Sequence, residues 1–337
     1  MTVTNLFDTT SLGDPTINLA LKGLQEREGR RSPSRRLGGS SLGQECVRSS
    51  WLGFRWVSPV IVDATGLLAI NDGHRSEIVM ADLLKGAGGG IELWTEDPNK
   101  PGKQISFELI DGHFVAKCDG VILGILQAPK TPHIWEAKAC NEKKFKALKG
   151  AIDKHGEKNA LREWNNVYFI QAQMEMHGVE LDRHYLTVST PGVREIISVR
   201  TEYQHDVALR AIETGKRIVY DTRAPARISA DPSFFGCKFC DHIGVCHGNE
   251  LPQVNCRTCA YSSAVEGGKW TCGKWQVGID YDTQRNGCFA HRFNPETVHG
   301  KAIDVKENGD VHYTMANGSL YVDADKPDRP ATINIGA

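Results

Sequence analysis

The sequence predicts an α/β layered core followed by a cysteine-rich region, on two observations. Between residues 73 and 215 the patterns run helix, three or four strands, helix, strand, helix, the order of strands and helices stacked in layers. Beyond Pro225 the periodicity gives way to Cys, Gly, His and Trp. A segment of that kind cannot stabilise itself by apolar burial and needs staples. With 40% hydrophobic and 24% charged residues the composition is that of a globular protein, which excludes disordered and fibrous classes. Its 337 residues suffice for one large domain or two modest ones with a sizeable core. No stretch approaches the roughly 20 apolar residues that span a bilayer. The first 20 residues lack a basic region followed by an apolar one, so secretion is not expected and the predicted location is the cytoplasm.

Residues 16–28 read as a short amphipathic helix, followed by the basic run REGRRSPSRR at 27–36 and by SSLGQECVRSSWLGFRW at 40–56. GHRSEIVMADLLKG at 73–86 carries apolar residues at 78, 79, 83 and 84 with Asp82 among them, the pattern of a helix packed on one side, and the glycines of 86–90 end it. IELWTE, QISFELI and HFVAKCDGVILGIL within 91–127 read as strands, separated by turn signals at Asp97-Pro98-Asn99 and Asp111-Gly112. HIWEAKA at 133–139 is the next strand, then a polar helix from about 141 to 178 with a break near His155-Gly156. Strands follow at 184–190 and 194–201, and a helix at 205–215 ending on Gly215. From 297 to 337, ENGDVHY and ANGSLYV carry hairpin signals for a small β tail. No internal repeat is present.

The expected chemistry centres on one strand. Glu136 and Lys138 stand two apart in HIWEAKA, so both side chains leave the same face. Asp119 lies before Gly120 on the preceding hairpin and is expected beside Glu136. Two carboxylates at one point repel, and a divalent cation relieves that; Mg²⁺ or Mn²⁺ suits a pair of carboxylates with water and phosphate oxygen. Such an ion acidifies water and offsets charge on a phosphate, and the lysine beside it orients that water or stabilises the transition state. An acid and a lysine on a strand form, more often than not, only a surface ion pair. Here Ile134, Trp135 and Ala137 make the strand apolar around them.

Ten cysteines in a chain expected to be cytoplasmic point to metal more than to disulfides. Seven of them crowd into residues 237–288, while Cys46 stands far upstream and Cys118 and Cys140 read as inert core residues. Cys237-x2-Cys240-x5-Cys246, with Cys46 as a fourth thiolate, permits either zinc or an iron–sulfur cluster; His242 and His247 are alternative ligands. Cys256, Cys259, Cys272 and Cys288 form a separate set that reads as a structural Zn²⁺ site, with His291 able to replace one cysteine. Trp270, Trp275 and Tyr281 are expected to pack around this module, with base stacking as a lesser alternative.

Taken together, SSLGQECVR, GHRSE, CDGVI, WEAK, YFIQAQMEM and CKFCDHIGVC resemble, in order and over roughly residues 40–250, the RecB-like branch of the PD-(D/E)XK nucleases. The resemblance is greatest to phage-encoded members akin to the CRISPR spacer-acquisition nucleases. It implies a restriction-endonuclease-like core, a mixed central sheet flanked by helices. It also implies that Asp119 and Glu136 ligate metal, that Lys138 is catalytic and that Glu77 of the first helix, or His74 one turn earlier, joins the metal. Gln171 matches the glutamine of the family's Gln-x-x-x-Tyr motif, which positions substrate. The tyrosine place is held by Glu175, a departure that puts the contact to DNA in question, with Gln173 a substitute. Between zinc and iron–sulfur at Cys46, Cys237, Cys240 and Cys246, the resemblance favours a [4Fe–4S] cluster clamping the two ends of the core.

The expected organisation is therefore a nuclease core at 1–235, a cluster segment at 236–250 joined by Cys46, a zinc module at 251–296 and the β tail at 297–337. The expected function is Mg²⁺- or Mn²⁺-dependent exonucleolytic hydrolysis of DNA, in phage recombination, replication or end processing. Two alternatives stand beside it: a non-catalytic module that binds DNA ends, and a CRISPR-linked processing nuclease. The net charge of −1 gives no global case for DNA, but carboxylates that hold metal offset the basic residues that hold phosphate. The run at 27–36 and KKFKALK at 143–149 are the stretches expected to track the backbone. A recombination or single-strand-binding protein is a further expected partner, and an oligomer is compatible with the sequence.

Overall fold

The strand expected to carry the chemistry is the centre of the sheet. A computed structural model describes residues 14–330; residues 1–13 of the expected core and 331–337 of the expected tail lie outside the described residues. The N-terminal part comprises α1 (Pro15–Glu28), β1 (Arg30–Arg31), α2 (Val47–Phe54), β2 (Val60–Ile61) and α3 (Ala64–Lys85). Strands β3 (Glu92–Trp94), β4 (Ser106–Leu109), β5 (Phe114–Lys117), β6 (Gly120–Leu123) and β7 (His133–Ala139) follow. Helices α4 (Glu142–His155), α5 (Ala160–Trp164) and α6 (Asn166–Val179) lead to β8 (Arg183–Ser189), β9 (Ile196–Glu202) and α7 (His205–Tyr220). The five-stranded sheet has the order β3-β6-β7-β8-β9. Strand β7 pairs antiparallel with β6 and parallel with β8, so the sheet is mixed. The β7–β8 connection is the helical crossover that parallel neighbours require. The five leading residues of β7, from His133 to Ala137, are all buried, as expected of a strand covered on both faces.

The alternation along β7 assigns the layers. Trp135 and Ala137 pack with Met80 and Ala81 of α3 and with Ile122 of β6. Ile134 faces the other way, into a core with Phe145 and Leu148 of α4, Phe169 and Ala172 of α6, and Leu186 of β8. Glu136 and Lys138 share the parity of Ile134 and so belong to the α6 face. Asparagines start the helices on this face. Asn141 Oδ1 accepts from Lys144 N at 2.9 Å, and Asn165 Oδ1 accepts from Val167 N at 3.0 Å, each satisfying an orphan donor of the first turn.

Several boundaries differ from the sequence expectation. Helix α3 starts at Ala64, capped by Asp63, nine residues before the expected start, because the amphipathic pattern weakens in its exposed first turns. Helix α7 continues through Gly215 to Tyr220, with Gly215 packed where a Cβ would lie 2.3 Å from Ile110 Cδ1. That glycine permits close packing and is not a cap. Strands β4 and β5 form their own antiparallel pair apart from the central sheet. Helix α1 forms as expected but buries none of its residues fully. No helix among the described residues is long and apolar enough to cross a membrane.

The cysteine-rich region starts with α8 (Phe235–Lys238) and α9 (Ile243–Cys246) and continues through β10 (Ser262–Val265), β11 (Lys269–Cys272), β12 (Val277–Ile279) and α10 (Tyr281–Asn286). Strands β10 to β12 form an antiparallel meander. Its inner residues Cys256, Trp270, Cys272, Ile279 and Cys288 share one core with Leu37, Phe54, Ile110, Phe114 and Ile218. The tail folds as β13 (Gly300–Val305), β14 (Val311–Met315) and β15 (Leu320–Asp323), a three-stranded antiparallel sheet around Tyr313 and Phe293.

Arg257 is among the side chains that join these regions by hydrogen bonds. Arg257 donates to Phe54 O at 3.0 Å, Arg35 O at 2.7 Å and Gln284 Oε1 at 2.9 Å, and its guanidinium lies 3.8 Å from the Trp56 ring centre. Burial pulls its pKa down to about 9, yet it remains a cation at neutral pH. Truncation would orphan three buried acceptors, so Arg257→Ala is expected to destabilise the chain by about 2–4 kcal/mol in urea unfolding. Arg257→Lys should recover little of this, because one ammonium cannot span the acceptors of a planar fork. A midpoint unchanged in both variants would show that the buried guanidinium does not hold the module to the core.

Candidate active site

Where β6 and β7 part, the backbone ladder is replaced by a side chain. Gly120 pairs with Trp135, and the next residue outward, Asp119, uses Oδ2 to accept the Ala137 N–H at 2.9 Å. This fixes Asp119 beside Glu136. Gly120 is required by crowding, since a Cβ there would stand 2.6 Å from Trp94 O on the edge strand. The Cys-Asp-Gly sequence therefore combines a buried anchor, a carboxylate and a close approach of strands.

Glu136 is only 4% exposed. Its Oε1 accepts from Lys138 Nζ and from Gln171 Nε2, the latter at 2.9 Å, while Oε2 is buried with no hydrogen-bond partner. Gln171 also donates to Glu175 Oε1 at 2.8 Å. Tyr168, Gln171 and Glu175 recur at helical spacing along α6, and the Tyr168 ring lies 5.6 Å from Lys138 Nζ. The 39–41 turn closes over Gln171, leaving so little room that a Cβ on Gly39 would meet Gln171 Cγ at 3.0 Å.

Burial and like charge dominate the electrostatics. Asp119 is held well above the usual carboxylate range by burial and then by Glu136, against the opposing pull of Lys138 and the Ala137 N–H. Glu175, fully buried, is also pushed well above that range by burial and by Glu136, with the Gln171 hydrogen bond opposing. Burial alone would lower the Lys138 pKa, but Glu136 and Asp119 outweigh it and hold the side chain as an ammonium. The site thus has more carboxylates than cations, and one buried carboxylate oxygen has no donor. That excess of acceptors fits a divalent cation held by Asp119 and Glu136. Among the described residues, no group of three or more His, Cys, Asp or Glu is placed as a metal-holding set.

Glu77 and His74 lie on α3, which packs against the opposite face of β7 from α6. The half-buried Glu77 carboxyl is raised by burial and by Glu136 and lowered by Lys138 and His74, so the site reaches it through space. His74 is exposed. Gln173 does not substitute at the site: it is fully buried, donates to Glu202 O at 3.0 Å and accepts from Gln204 N at 2.6 Å. Two residues along a helix turn a side chain away from its neighbour's face, so Gln173 ties α6 to the start of α7 instead.

Nothing in the sequence points to His184. The parallel register places it beside Ile134 on β8, on the parity of Glu136, a relation no local pattern carries. Its Nε2 lies 3.7 Å from Glu175 Oε2, too far for a hydrogen bond, and both ring nitrogens are buried without partners. Burial, then Lys138 and His133, lower its pKa to about 3, so the imidazole is neutral and forms no ion pair with Glu175.

The cysteines gather as two sets. Cys46, Cys237, Cys240 and Cys246 line one small cavity between the start of α2 and the α8–α9 segment. Ser49 Oγ stands 3.5 Å from Cys240 Sγ. In the second set, the Cys256 thiol is pushed up to about 12 by burial and then by Cys259, Cys288 and Cys272. Burial likewise raises Cys259 to about 11. All four of these cysteines are buried and thiols are the donors that suit a Zn²⁺ ion, although among the described residues neither set is drawn together as a metal-holding group. Trp270 is 2% exposed against Phe54, which excludes base stacking by its ring. His291 is buried with Nε2 3.2 Å from Thr258 Oγ1.

No family model and no curated protein matches the sequence. Among solved structures, the chain is similar to the crystal structure of SSO0001 at 14% identity over 71% of this chain and 99% of that one, with a TM-score of 0.36. It is similar to an alkaline exonuclease (LHK-Exo) from Laribacter hongkongensis at 12% identity over 55% of this chain and 87% of that one, TM-score 0.35. The complex of LHK-Exo with dAMP is matched at 13% identity over 55% of this chain and 86% of that one, TM-score 0.35. Likeness of this degree decides neither chemistry nor fold, and both rest on the residues described above.

The buried His184 makes stability depend on pH. Its folded pKa of about 3 lies below the ordinary 6.5, so between those values the unfolded chain binds a proton that the folded chain refuses. Stability is therefore unaffected above 6.5, falls as the pH drops below it, and the loss is complete near 3. Urea midpoints should decline less on acidification in His184→Leu than in the wild type; equal slopes would refute a neutral buried imidazole.

Proposed function

We propose that the chain is a divalent-metal-dependent nuclease that hydrolyses DNA phosphodiester bonds, acting as an exonuclease in the processing of DNA ends. The observation that carries this reading is the meeting of Asp119 and Glu136 at the end of the β6–β7 ladder, with Lys138 on Glu136 and Glu136 Oε2 unpaired. Mg²⁺ or Mn²⁺ is the ion whose chemistry suits such carboxylates, supplying an acidified water and neutralising charge on the phosphate.

The protein's own groups divide the remaining work. Asp119, just before β6 and fixed by the Ala137 N–H, and Glu136 on β7, fixed by Gln171, would hold the ion. Glu136 and Asp119 hold Lys138 as an ammonium, so it would stabilise negative charge on the phosphate or donate a hydrogen bond. Gln171 positions Glu136 and is itself held by Glu175, which is why Glu175 can stand where a tyrosine is expected. In this reading Glu77 of α3, with His74 beside it, would act on the ion through its charge from across β7. Water adds to phosphorus, the bond to one ester oxygen breaks, and that oxygen leaves with a proton.

The two cysteine sets serve as staples in this reading. Cys46, Cys237, Cys240 and Cys246 would hold a [4Fe–4S] cluster, and Cys256, Cys259, Cys272 and Cys288 a Zn²⁺ ion. The first closes about 190 residues of chain between Cys46 and Cys237, the kind of long loop whose closure stabilises most.

Labelled DNA should be degraded with Mg²⁺ or Mn²⁺ and not with EDTA. Asp119→Ala and Lys138→Ala should each lower the rate roughly 100- to 1000-fold, and Gln171→Ala less because it acts through Glu136. Wild-type rates in the folded Asp119→Ala variant would end the nuclease reading. Protein purified without oxygen should be brown and contain about four irons and one zinc. Cys46→Ser should remove the iron and its colour but keep the zinc, Cys259→Ser the reverse, and loss of both metals in either variant would contradict two separate centres.

A further inference from the structure

A cavity of about 300 Å³ opens between the N-terminal β1–β2 ribbon, the cysteine module and the C-terminal segment. It shares no lining residue with the carboxylate–lysine site. Four arginines from three distant stretches line it, Arg30 and Arg31 on β1, Arg285 on α10 and Arg329 near the chain's end, and no acidic residue does. Among the described residues, the only one of the four in an ion pair is Arg329, to Asp328 at 3.4 Å.

The scaffold sets these side chains in place. β1 pairs with β2 through Arg30–Ile61 and Arg31–Val60, and Gly29 before it sits where a Cβ would meet Gln25 O at 2.5 Å. Arg329 Nη1 donates to Asn286 O at 3.3 Å, and Phe289 N donates to Pro330 O at 2.7 Å, tying the C-terminal segment to the cysteine module. Asn255 Nδ2 donates to Trp56 O at 3.1 Å, joining two walls of the cavity. Four arginines line the cavity with no acidic side chain in its lining, and an anion with several oxygens is the ligand that suits them. The guanidinium fork binds phosphate and carboxylate oxygens in pairs, and phosphate offers the larger number of them.

We propose that this cavity binds phosphate groups of a DNA strand, outside the cutting centre. The choice of DNA among phosphate-bearing ligands rests on the nuclease reading; the affinity for phosphate does not. The arginines then hold backbone without reading sequence, and because they come from three parts of the chain, DNA that occupies the cavity also bridges the ribbon, the module and the tail.

The test is equilibrium binding of a fluorescein-labelled DNA duplex to the full chain in EDTA. Arg30→Gln/Arg285→Gln should bind about tenfold or more weaker, with the slope of log K against log salt shallower by about 0.9 for each phosphate no longer neutralised. The control Arg194→Gln/Arg210→Gln carries the same change in charge on exposed helix and turn positions and should bind as the wild type. Affinity and slope unchanged in the first variant, or an equal loss in the control, would overturn the proposal. Displacement of the duplex by tripolyphosphate or dTMP at lower concentrations than by unlabelled duplex would assign the cavity to a small phosphate ligand and overturn the DNA assignment. Hydrolysis of bis(p-nitrophenyl) phosphate with Mn²⁺ separates the two readings. It should be equal in all variants, and its absence from the wild type would count against the nuclease while leaving the binding result standing.

Discussion

Three buried or half-buried carboxylates, Asp119, Glu136 and Glu175, surround one ammonium, that of Lys138, at the centre of the sheet. In a low-dielectric interior this imbalance is expensive unless it is relieved by protonation, hydrogen bonds or a cation. The chain uses the first two visibly. Asp119 and Glu175 are displaced toward their protonated forms, and the Ala137 N–H and the Gln171 amide supply donors. Glu136 Oε2 receives neither. Almost everything around the site reads as a consequence: Gly120 lets the strands close, Gly39 lets a turn cover Gln171, and a helical crossover brings α6 over the face of β7 that bears the acids.

Much of this is legible in HIWEAKA alone. A strand apolar at Ile134, Trp135 and Ala137 but charged at Glu136 and Lys138 announces both its central position and its unusual face, and the parity of two residues suffices to pair the charges. The break at Gly156 and the tail hairpins are equally plain, because each is written in local turn or cap chemistry. What is not legible depends on register between segments. His184 reaches the site through the parallel pairing of β7 with β8, and Gln173 turns away from it because α6 must also hold the β9–α7 junction. Glu77 lies on the helix that covers the opposite sheet face, a separation invisible in the spacing between GHRSE and WEAK.

The composition of the cysteine-rich region leads one to expect a fold standing on its staples, and its packing adds a second source of order. Trp270 and three of its cysteines lie in the same core as Phe54, Phe114 and Ile218, while Arg257 reaches back to Phe54 and Arg35. The N-terminal part and the cysteine-rich region therefore meet in one core with residues of α6 and α7. A metal-bound quartet in such a place would set the shape of a shared core, so that its loss would be felt by α2, α7 and the β4–β5 pair as much as by the module.

A net charge of −1 conceals a division of labour. Acids concentrate at the central strand β7, and arginines of the ribbon, the module and the tail line a separate cavity with no acid in its lining. In the proposed function, a phosphodiester polymer charged along its whole length would be drawn to the arginines and repelled by bare carboxylates. Such a polymer approaches the acids productively only if a cation has first reversed the sign there, so the metal would govern where the strand lies as well as how it is cut. The basic cavity, needing no metal, would hold the strand whether or not the acids were ready for it, and binding and cutting would respond to different ions.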